Sequence, residues 1–367
     1  MVEVDFLPAS HEKKSGDCIL IRTGSFSYDP TQKNNQTVVM IDSGFADCSK
    51  DVKKYLKEWY RTSRIDYVFI SHPDLDHISG LNALLDDTDI QIDEIIIHDP
   101  WNHVNEVFKK TEDGRRTRKS IAGKFEDTLK ILDSVFDKAA KRRIHTQEAF
   151  AGNYLNLGEY ELEILGPSEE YYESVLLQFP GMEDEASVGG SSVYELGLTD
   201  WFLVDNFFFR NPVTSAKNNS SMVALLSKKE RSMNSETIIK KPLFLFTGDA
   251  GTEALRNALL HAKTTNVPVK GCRYVQLPHH GSLKNVDEDF FDYIEAGKYI
   301  VSASSTDVEH PSRLLVNYIV DNHAKDLFHV SDNGGLRCNF DSPGRPGWST
   351  AKPKQMFNKV YKIKGDL

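Results

Sequence analysis

The most informative segment of the sequence is Ser71-His72-Pro73-Asp74-Leu75-Asp76-His77. Its two histidines and two aspartates can all bind a metal ion. An apolar run at residues 67–70 predicts a strand before them, and a helix is predicted after them. A turn of this kind, at the end of a strand, can direct several side chains to one point. An ordinary polar turn with an aspartate capping the helix is the alternative. The alternating His and Asp favour a site for zinc, manganese or iron.

Three further apolar strands are each predicted to end at polar residues of similar chemistry. The first ends at Asp42-Ser43-Gly44, the second at Thr247-Gly248-Asp249, and the third at Pro278-His279-His280-Gly281-Ser282. Each motif alone is compatible with a turn or a helix cap. Their occurrence together with the 71–77 motif, each at a strand end, predicts one composite metal site.

The organisation of the chain predicts an α/β protein. Short β-rich runs alternate with helical patterns along the 367 residues, and residues 118–139 form the clearest amphipathic helix. Hydrophobic residues make up 40% of the chain, enough to build a sizeable core. We expect one domain over residues 1–367, with an irregular insertion at residues 168–217 that folds over the site as a lid.

Composition limits the function classes. The formal net charge of −10 argues against a general nucleic-acid coat, because such proteins neutralise phosphates. Local basic segments still allow a nucleic-acid enzyme. No apolar run approaches the roughly 20 residues of a membrane helix. The N-terminus has no signal-peptide pattern, and the four cysteines are scattered, so we expect a cytoplasmic protein that contacts no membrane.

The order of the motifs resembles the metallo-β-lactamase superfamily. Within it, the chain resembles the C-terminal hydrolase domain of the competence protein ComEC and its stand-alone relatives. The segments that carry the resemblance are DFLPASHEKKSGDCILI, MIDSG, SHPDLDHISG, LEILGP, NNSSMVALL, FLFTGD, LPHHGS and SASSTDVEHPS. The resemblance implies a four-layer αββα sandwich with insertions.

The resemblance also implies roles for single residues. His72 and Asp74 would bind a first divalent ion, while Asp76, His77 and one of the paired histidines would bind a second. Asp249 would bridge the two ions. We favour His279 as the ligand of the pair, with His280 behind it or acting as an acid. Asp42 and Ser220 would lie behind the ligands, and His310 would bind phosphate or act as general acid.

The sequence departs from the broad superfamily at two places. Asp74 stands where that superfamily has a histidine, and the mid-chain histidine is absent around Asn219 and Ser220. Oxygen ligands make the first site harder, so manganese or magnesium becomes plausible there beside zinc.

These features predict a metal-dependent phosphodiesterase that cleaves DNA through a metal-bound hydroxide. Residues 109–119, with six basic and two acidic side chains, the basic C-terminal tail, and Lys138, Lys141, Arg142 and Arg143 could hold the DNA backbone. An ordinary solvated surface is the alternative for each of these segments. Two alternatives stay open. One is hydrolysis of a small molecule such as a cyclic nucleotide, a lactone or a thioester. The other is a metal-binding partner module of a multi-protein system.

Overall fold

The computed structural model of the protein describes residues 1–11, 14–27, 29–103, 130–176, 178–179, 214–231, 238–304, 307, 310–312, 315–316, 318–319, 327–330 and 336–339. Two seven-stranded mixed sheets form its centre. The first sheet contains β1 (Val2–Phe6), β2 (Cys18–Ser25), β3 (Asn35–Ser43), β4 (Arg64–Phe69), β5 (Gln91–Ile96), β6 (His145–Gln147) and β14 (Leu336–Asn339). The second contains β7 (Tyr154–Leu157), β8 (Tyr160–Gly166), β9 (Val223–Arg231), β10 (Ile238–Phe246), β11 (Tyr274–Gln276), β12 (Tyr299–Ser302) and β13 (Leu327–Val330).

Strand order places parallel strands in both sheets. The first sheet runs β14-β1-β2-β3-β4-β5-β6 and the second runs β13-β12-β11-β10-β9-β8-β7. The neighbours from β3 to β6 are parallel, as are the neighbours from β10 to β13. The carboxyl ends of each parallel set therefore lie along one edge of their sheet, where α/β proteins place their sites.

Helices cover the outer face of each sheet. They are α1 (Cys48–Tyr55, continued by a π-helical turn, Leu56–Tyr60), α2 (Leu75–Leu84), α3 (Lys130–Arg142), α4 (Glu169–Leu176), α5 (Ala216–Asn219), α6 (Thr252–Thr264) and α7 (Glu288–Ile294). Within the described residues, none of these helices has the length and apolarity needed to cross a lipid bilayer.

Because side chains point alternately to the two faces of each sheet, the buried residues form three hydrophobic layers. In β2, Leu20 faces the helices of the first outer layer, whereas Ile19 and Ile21 face the other sheet. A second outer core joins α6 and α7 to the far side of the second sheet, for example through Leu255 and Phe291. The order is helix, sheet, sheet, helix, which confirms the predicted αββα architecture.

The predicted insertion is more regular at its start than expected. Residues 169–176 form α4, whose Tyr172, Val175 and Leu176 are buried in the first outer core. An irregular reading was wrong here because the short motif EEYYESVL buries three side chains at helical spacing. Residues 180–213 lie outside the described residues, as do residues 118–129 of the predicted amphipathic helix. The lid thus stays a prediction.

Candidate metal centre

The strand ends of both sheets bring the polar motifs together. Asp42 is the second-last residue of β3, and residues 71–77 follow β4. From the other sheet, Asp249 follows β10, and a 3₁₀ turn over His279–Gly281 follows β11. His77 Nε2 lies 3.3 Å from Asp249 Oδ1, so the site spans the junction between the two sheets.

Four side chains form a compact group: Asp76, His77, Asp249 and His280. One ligand atom from each lies within 4.8 Å of the others. His77 Nε2 is 3.6 Å from Asp76 Oδ2, and His280 Nε2 is 3.2 Å from the same oxygen. Two imidazoles and two carboxylates form a donor set that suits zinc, manganese or iron.

The Asp42 carboxylate orients two of the histidines. Oδ1 accepts the backbone N–H of Ser71 at 2.7 Å, and Oδ2 accepts the Ser71 hydroxyl at 2.7 Å. Oδ2 also accepts His77 Nδ1 at 2.8 Å. Because the Ser71 hydroxyl donates to Asp42, it can accept from His72 Nδ1, 3.1 Å away. Both rings then carry their proton on Nδ1 and turn an unprotonated Nε2 towards the site.

His280 is oriented by a backbone carbonyl of the second sheet. Its Nδ1 donates to the Ser302 carbonyl at 2.8 Å, which leaves Nε2 unprotonated in the neutral ring. Asp17, completely buried, lies behind this ring with Oδ1 3.8 Å from Nδ1. The other Asp17 oxygen accepts Gln276 Nε2 at 2.8 Å.

Buried polar atoms without hydrogen bonds test whether these residues fit a metal ion. In the described part of the chain, His72 Nε2, His77 Nε2 and Asp249 Oδ1 are buried and lack a hydrogen bond. Leaving such groups unsatisfied costs free energy unless something else binds them. All three belong to the cluster of potential ligands. The donor set and the orientation of the rings therefore fit a divalent cation.

A second set of side chains, the outer group, lies on the other side of Asp249. His72 Nε2 is 3.8 Å from Asp249 Oδ2 and 3.6 Å from Asp74 Oδ2. His279 Nε2 is 3.7 Å from Asp249 Oδ2. The ammonium of Lys217, on α5, forms an ion pair with Asp74 Oδ1. The outer group consists of His72, Asp74, His279 and Lys217.

The carboxylates create a negative potential that favours cations. Burial lowers the pKa of His280, but Asp17, Asp249 and Asp76 outweigh burial and raise it to about 9. Burial is likewise outweighed at His77, where Asp249, Asp42 and Asp76 hold the pKa well above its ordinary value. Metal binding displaces protons from such groups, so the same potential favours a divalent ion.

The pKa values of Asp249 and Asp74 are shifted in the opposite direction. Burial raises the pKa of Asp249, but His77, His279 and His280 outweigh it and hold the pKa well below its ordinary range. The pKa of Asp74 is also lowered, because His72 and Lys217 outweigh burial. Both carboxylates are therefore ionised at neutral pH and available as ligands or ion-pair partners.

The structure places the paired histidines differently from the sequence expectation. His280, not His279, belongs to the compact group, while His279 faces the outer group. Both residues have positive φ angles, 47° and 55°, in the left-handed region. This turn directs consecutive rings to opposite sides of Asp249, and residue order alone does not reveal it.

Ser220 does not contact the cluster as expected. Its hydroxyl donates to the Lys217 carbonyl at 2.6 Å, at the end of α5. The next residue, Ser221, instead accepts the backbone N–H of Asp249 at 3.2 Å. Ser220 thus lies at the C-terminal end of α5, and Ser221 is the serine that supports the site.

His310 lies beside the paired histidines. Its ring centroid is 5.0 Å from that of His279 and 5.9 Å from that of His280. Asp307 holds it in two ways, since Oδ1 accepts the His310 backbone N–H at 3.0 Å and Oδ2 lies 3.4 Å from Nδ1. A carboxylate on Nδ1 leaves Nε2 to exchange a proton with a bound molecule.

The sequence analysis missed Asp17, Lys217 and Asp307 as parts of the site. For Asp17 a signal existed in the Gly16-Asp17 pair. A Cβ at Gly16 would lie 2.5 Å from the Ala9 carbonyl oxygen and 2.9 Å from that of Asp76, so a glycine is required where this loop approaches the ligand segment. Lys217 stands in an unremarkable polar stretch and carries no such signal.

Two basic residues of α3, Lys138 and Arg142, have structural contacts. Lys138 donates to the Asn82 carbonyl and to Asp86, and Arg142 donates to the Leu84 and Leu85 carbonyls. These acceptors belong to the C-terminal end of α2, whereas the ligands lie at its N-terminal end. These cations therefore stabilise a helix C-terminus, and DNA binding by Lys138 and Arg142 stays a prediction. Residues 109–119 and the C-terminal tail lie outside the described residues.

Comparison with known proteins agrees with this architecture. Two mixed sheets between helices, with the site at the strand ends, are consistent with the metallo-β-lactamase fold. Residues 16–141 match the family model described as the metallo-beta-lactamase superfamily. No curated protein matches the sequence.

Three solved structures of different descriptions are similar to the chain. The metallo-beta-lactamase fold protein YhfI from Bacillus subtilis is 10% identical, with 92% of this chain and 100% of that chain covered and a TM-score of 0.41. CmlA, a diiron beta-hydroxylase from Streptomyces venezuelae, is 12% identical, with 92% and 54% covered and a TM-score of 0.43. A long form RNase Z from yeast is 12% identical, with 99% and 44% covered and a TM-score of 0.41.

Proposed function

We propose that this chain is a metal-dependent hydrolase of phosphodiesters, with DNA as the leading substrate. The observation that carries the proposal is the convergence of the His72, His77 and His280 Nε2 atoms with Asp76 and Asp249. The match of residues 16–141 to the metallo-beta-lactamase superfamily supports it. The closer resemblance to ComEC-type hydrolases is part of the proposal.

In this proposal, Asp76, His77, Asp249 and His280 would hold a divalent ion. When bound, the ion would act as a Lewis acid on a phosphoryl oxygen and activate a water molecule. Asp42 and the Ser302 carbonyl keep Nδ1 protons in place so that the ligand nitrogens stay free. His310, held by Asp307, would donate a proton to the leaving oxygen.

A small phosphodiester is the second candidate substrate. The observation in its favour is that Lys138 and Arg142 are engaged at the far end of α2 and are therefore less available to hold a DNA backbone. His279, His310 and Lys217 could still contact the single phosphate group of a small substrate.

The test is hydrolysis by purified protein loaded with Mn²⁺, Mg²⁺ or Zn²⁺. Linear DNA, supercoiled DNA and bis-p-nitrophenyl phosphate are assayed in parallel. Asp76→Ala should abolish turnover, whereas Asp93→Asn, which alters a carboxylate paired with Arg64 away from the site, should not. Cleavage of DNA selects the nuclease, and cleavage of the small ester alone selects the second candidate. Equal rates for Asp76→Ala and the parent protein would refute the assigned centre.

A further inference from the structure

Lys217 occupies the part of the centre where a second cation would bind. Its ammonium pairs with Asp74 Oδ1, and the other oxygen of this carboxylate is 3.6 Å from His72 Nε2. The side chains of Lys217 and Asp74 are only 23% and 25% exposed. This ion pair therefore lies inside the site and is screened less by solvent than a surface pair.

We propose that the Lys217 ammonium replaces one of two metal ions, so that the centre binds a single ion in the compact group. The inference rests on the proposed metal-dependent function, which it makes more specific. It assigns Lys217 the role of setting metal occupancy and of presenting a fixed positive charge beside Asp74 to an anionic substrate.

The arrangement of donors supports a single ion. The compact group brings four ligand atoms within 4.8 Å of one another. Among the described residues, the outer group forms no set of three or more donors that meets this distance. His72 Nε2 lies 3.6 Å and 3.8 Å from carboxylate oxygens of Asp74 and Asp249, but one of those carboxylates is already paired with a cation.

Electrostatic repulsion opposes binding of a second ion while the Lys217 ammonium is in place. A divalent ion bound by His72 and Asp74 would share the Asp74 carboxylate with Lys217, and two positive charges on one carboxylate repel strongly in a partly buried site. The segment that provides Lys217, at residues 216–221, contains no histidine, cysteine or carboxylate that could complete a second set of ligands.

Counting bound ions tests the inference without any assay of turnover. Purified parent protein and variants are saturated with Mn²⁺, freed of unbound metal by gel filtration and measured by elemental analysis. Lys217→Ala removes the ammonium, and Lys217→Arg keeps a positive charge. Lys240→Ala is the matched control, because Lys240 pairs with Glu161 and Glu163 away from the site. Circular dichroism checks that each variant folds.

We expect one ion per chain in the parent, in Lys217→Arg and in Lys240→Ala, and two in Lys217→Ala. Adding Asp74→Ala to Lys217→Ala should return the count to one. Two ions in the parent, or one in folded Lys217→Ala, would overturn the inference and leave the proposed hydrolase intact. A parent that retains no ion would refute the proposed function and this inference together.

Discussion

Replacing Asp42 by asparagine tests how this residue sets the histidine tautomers, because the size and shape of the side chain stay the same. The two side chains have the same size, and asparagine tolerates the positive φ of 54° found at this position. The asparagine oxygen can keep the bond from the Ser71 backbone N–H. Its amide group then faces His77 Nδ1, which must accept instead of donate. The proton of the neutral His77 ring consequently moves to Nε2, the atom that faces Asp76 and Asp249.

The expected magnitude follows from the number of bonds affected. Asp42 Oδ2 accepts two bonds, from His77 Nδ1 at 2.8 Å and from the Ser71 hydroxyl at 2.7 Å. The asparagine amide group donates instead of accepting, so the donor and acceptor roles in both bonds are reversed. Because the Ser71 hydroxyl also bonds His72 Nδ1, the reversal at Ser71 affects the His72 ring as well. Loss of such an orienting partner weakens metal affinity by roughly 10- to 100-fold, equivalent to about 1.4–2.7 kcal/mol.

The assay is competition for Mn²⁺ or Zn²⁺ with a chromogenic chelator. Ser43→Ala serves as the control, because Ser43 is equally buried and bonds the His77 carbonyl at 2.7 Å without touching either ring. We expect Asp42→Asn to bind metal more weakly than Ser43→Ala at similar thermal stability. An unchanged dissociation constant for Asp42→Asn would refute the tautomer argument.

Three other substitutions have defined outcomes. His310→Gln should lower kcat roughly 100-fold with little change in KM, because glutamine cannot transfer a proton. Gly80→Ala should lower the free energy of unfolding by about 3 kcal/mol in chemical denaturation, since the added Cβ would lie 1.9 Å from the Ser43 carbonyl oxygen. Burial lowers the pKa of His98 from 6.5 to about 4, so the folded state excludes a proton that the unfolded state binds. The free energy of unfolding contributed by the neutral His98 ring is complete above pH 6.5 and decreases by up to about 3 kcal/mol as the pH falls to 4. The His98→Gln substitution should remove that dependence on pH.

Each of these measurements has its own control. A metal content equal to that of the parent shows that His310→Gln acts on turnover. Gly158→Ala meets nothing within 4 Å and isolates the strain of a positive φ. Circular dichroism at pH 8 checks that His98→Gln folds like the parent protein. A Gly80→Ala protein as stable as Gly158→Ala, or an unchanged pH slope for His98→Gln, would contradict the respective argument.

The sequence predicts the strand ends of the site well, because short apolar strands end where polar motifs begin. The αββα architecture and the clustering of His72, His77 and Asp249 are visible at this level. The choice between His279 and His280 is not, because it depends on two left-handed residues in succession. Sequence patterns report alternation and spacing, and they carry little information about such backbone turns.

The partners of single charged residues are also not predictable from the sequence. Lys217 stands in no pattern that distinguishes it from a surface lysine, yet its ammonium pairs with Asp74 in the site. Conversely, Lys138 and Arg142 look like a basic patch, yet they hold the end of α2. A lysine or arginine side chain reaches several residues away, so its partner is fixed by tertiary packing and not by its neighbours in sequence.

The loop before β2 has a consequence for how the chain can change during evolution. Asp17 accepts Gln276 Nε2, and the Ser302 hydroxyl donates to the Gly16 carbonyl, so this loop binds strands of the opposite sheet. Residues so far apart in the sequence meet in one hydrogen-bonded unit, where substitutions are not additive. A change at Asp17 will have one effect with Gln276 present and another without it. The two halves of this chain are therefore expected to diversify together, and recombining halves from distant relatives should yield folded proteins with defective centres.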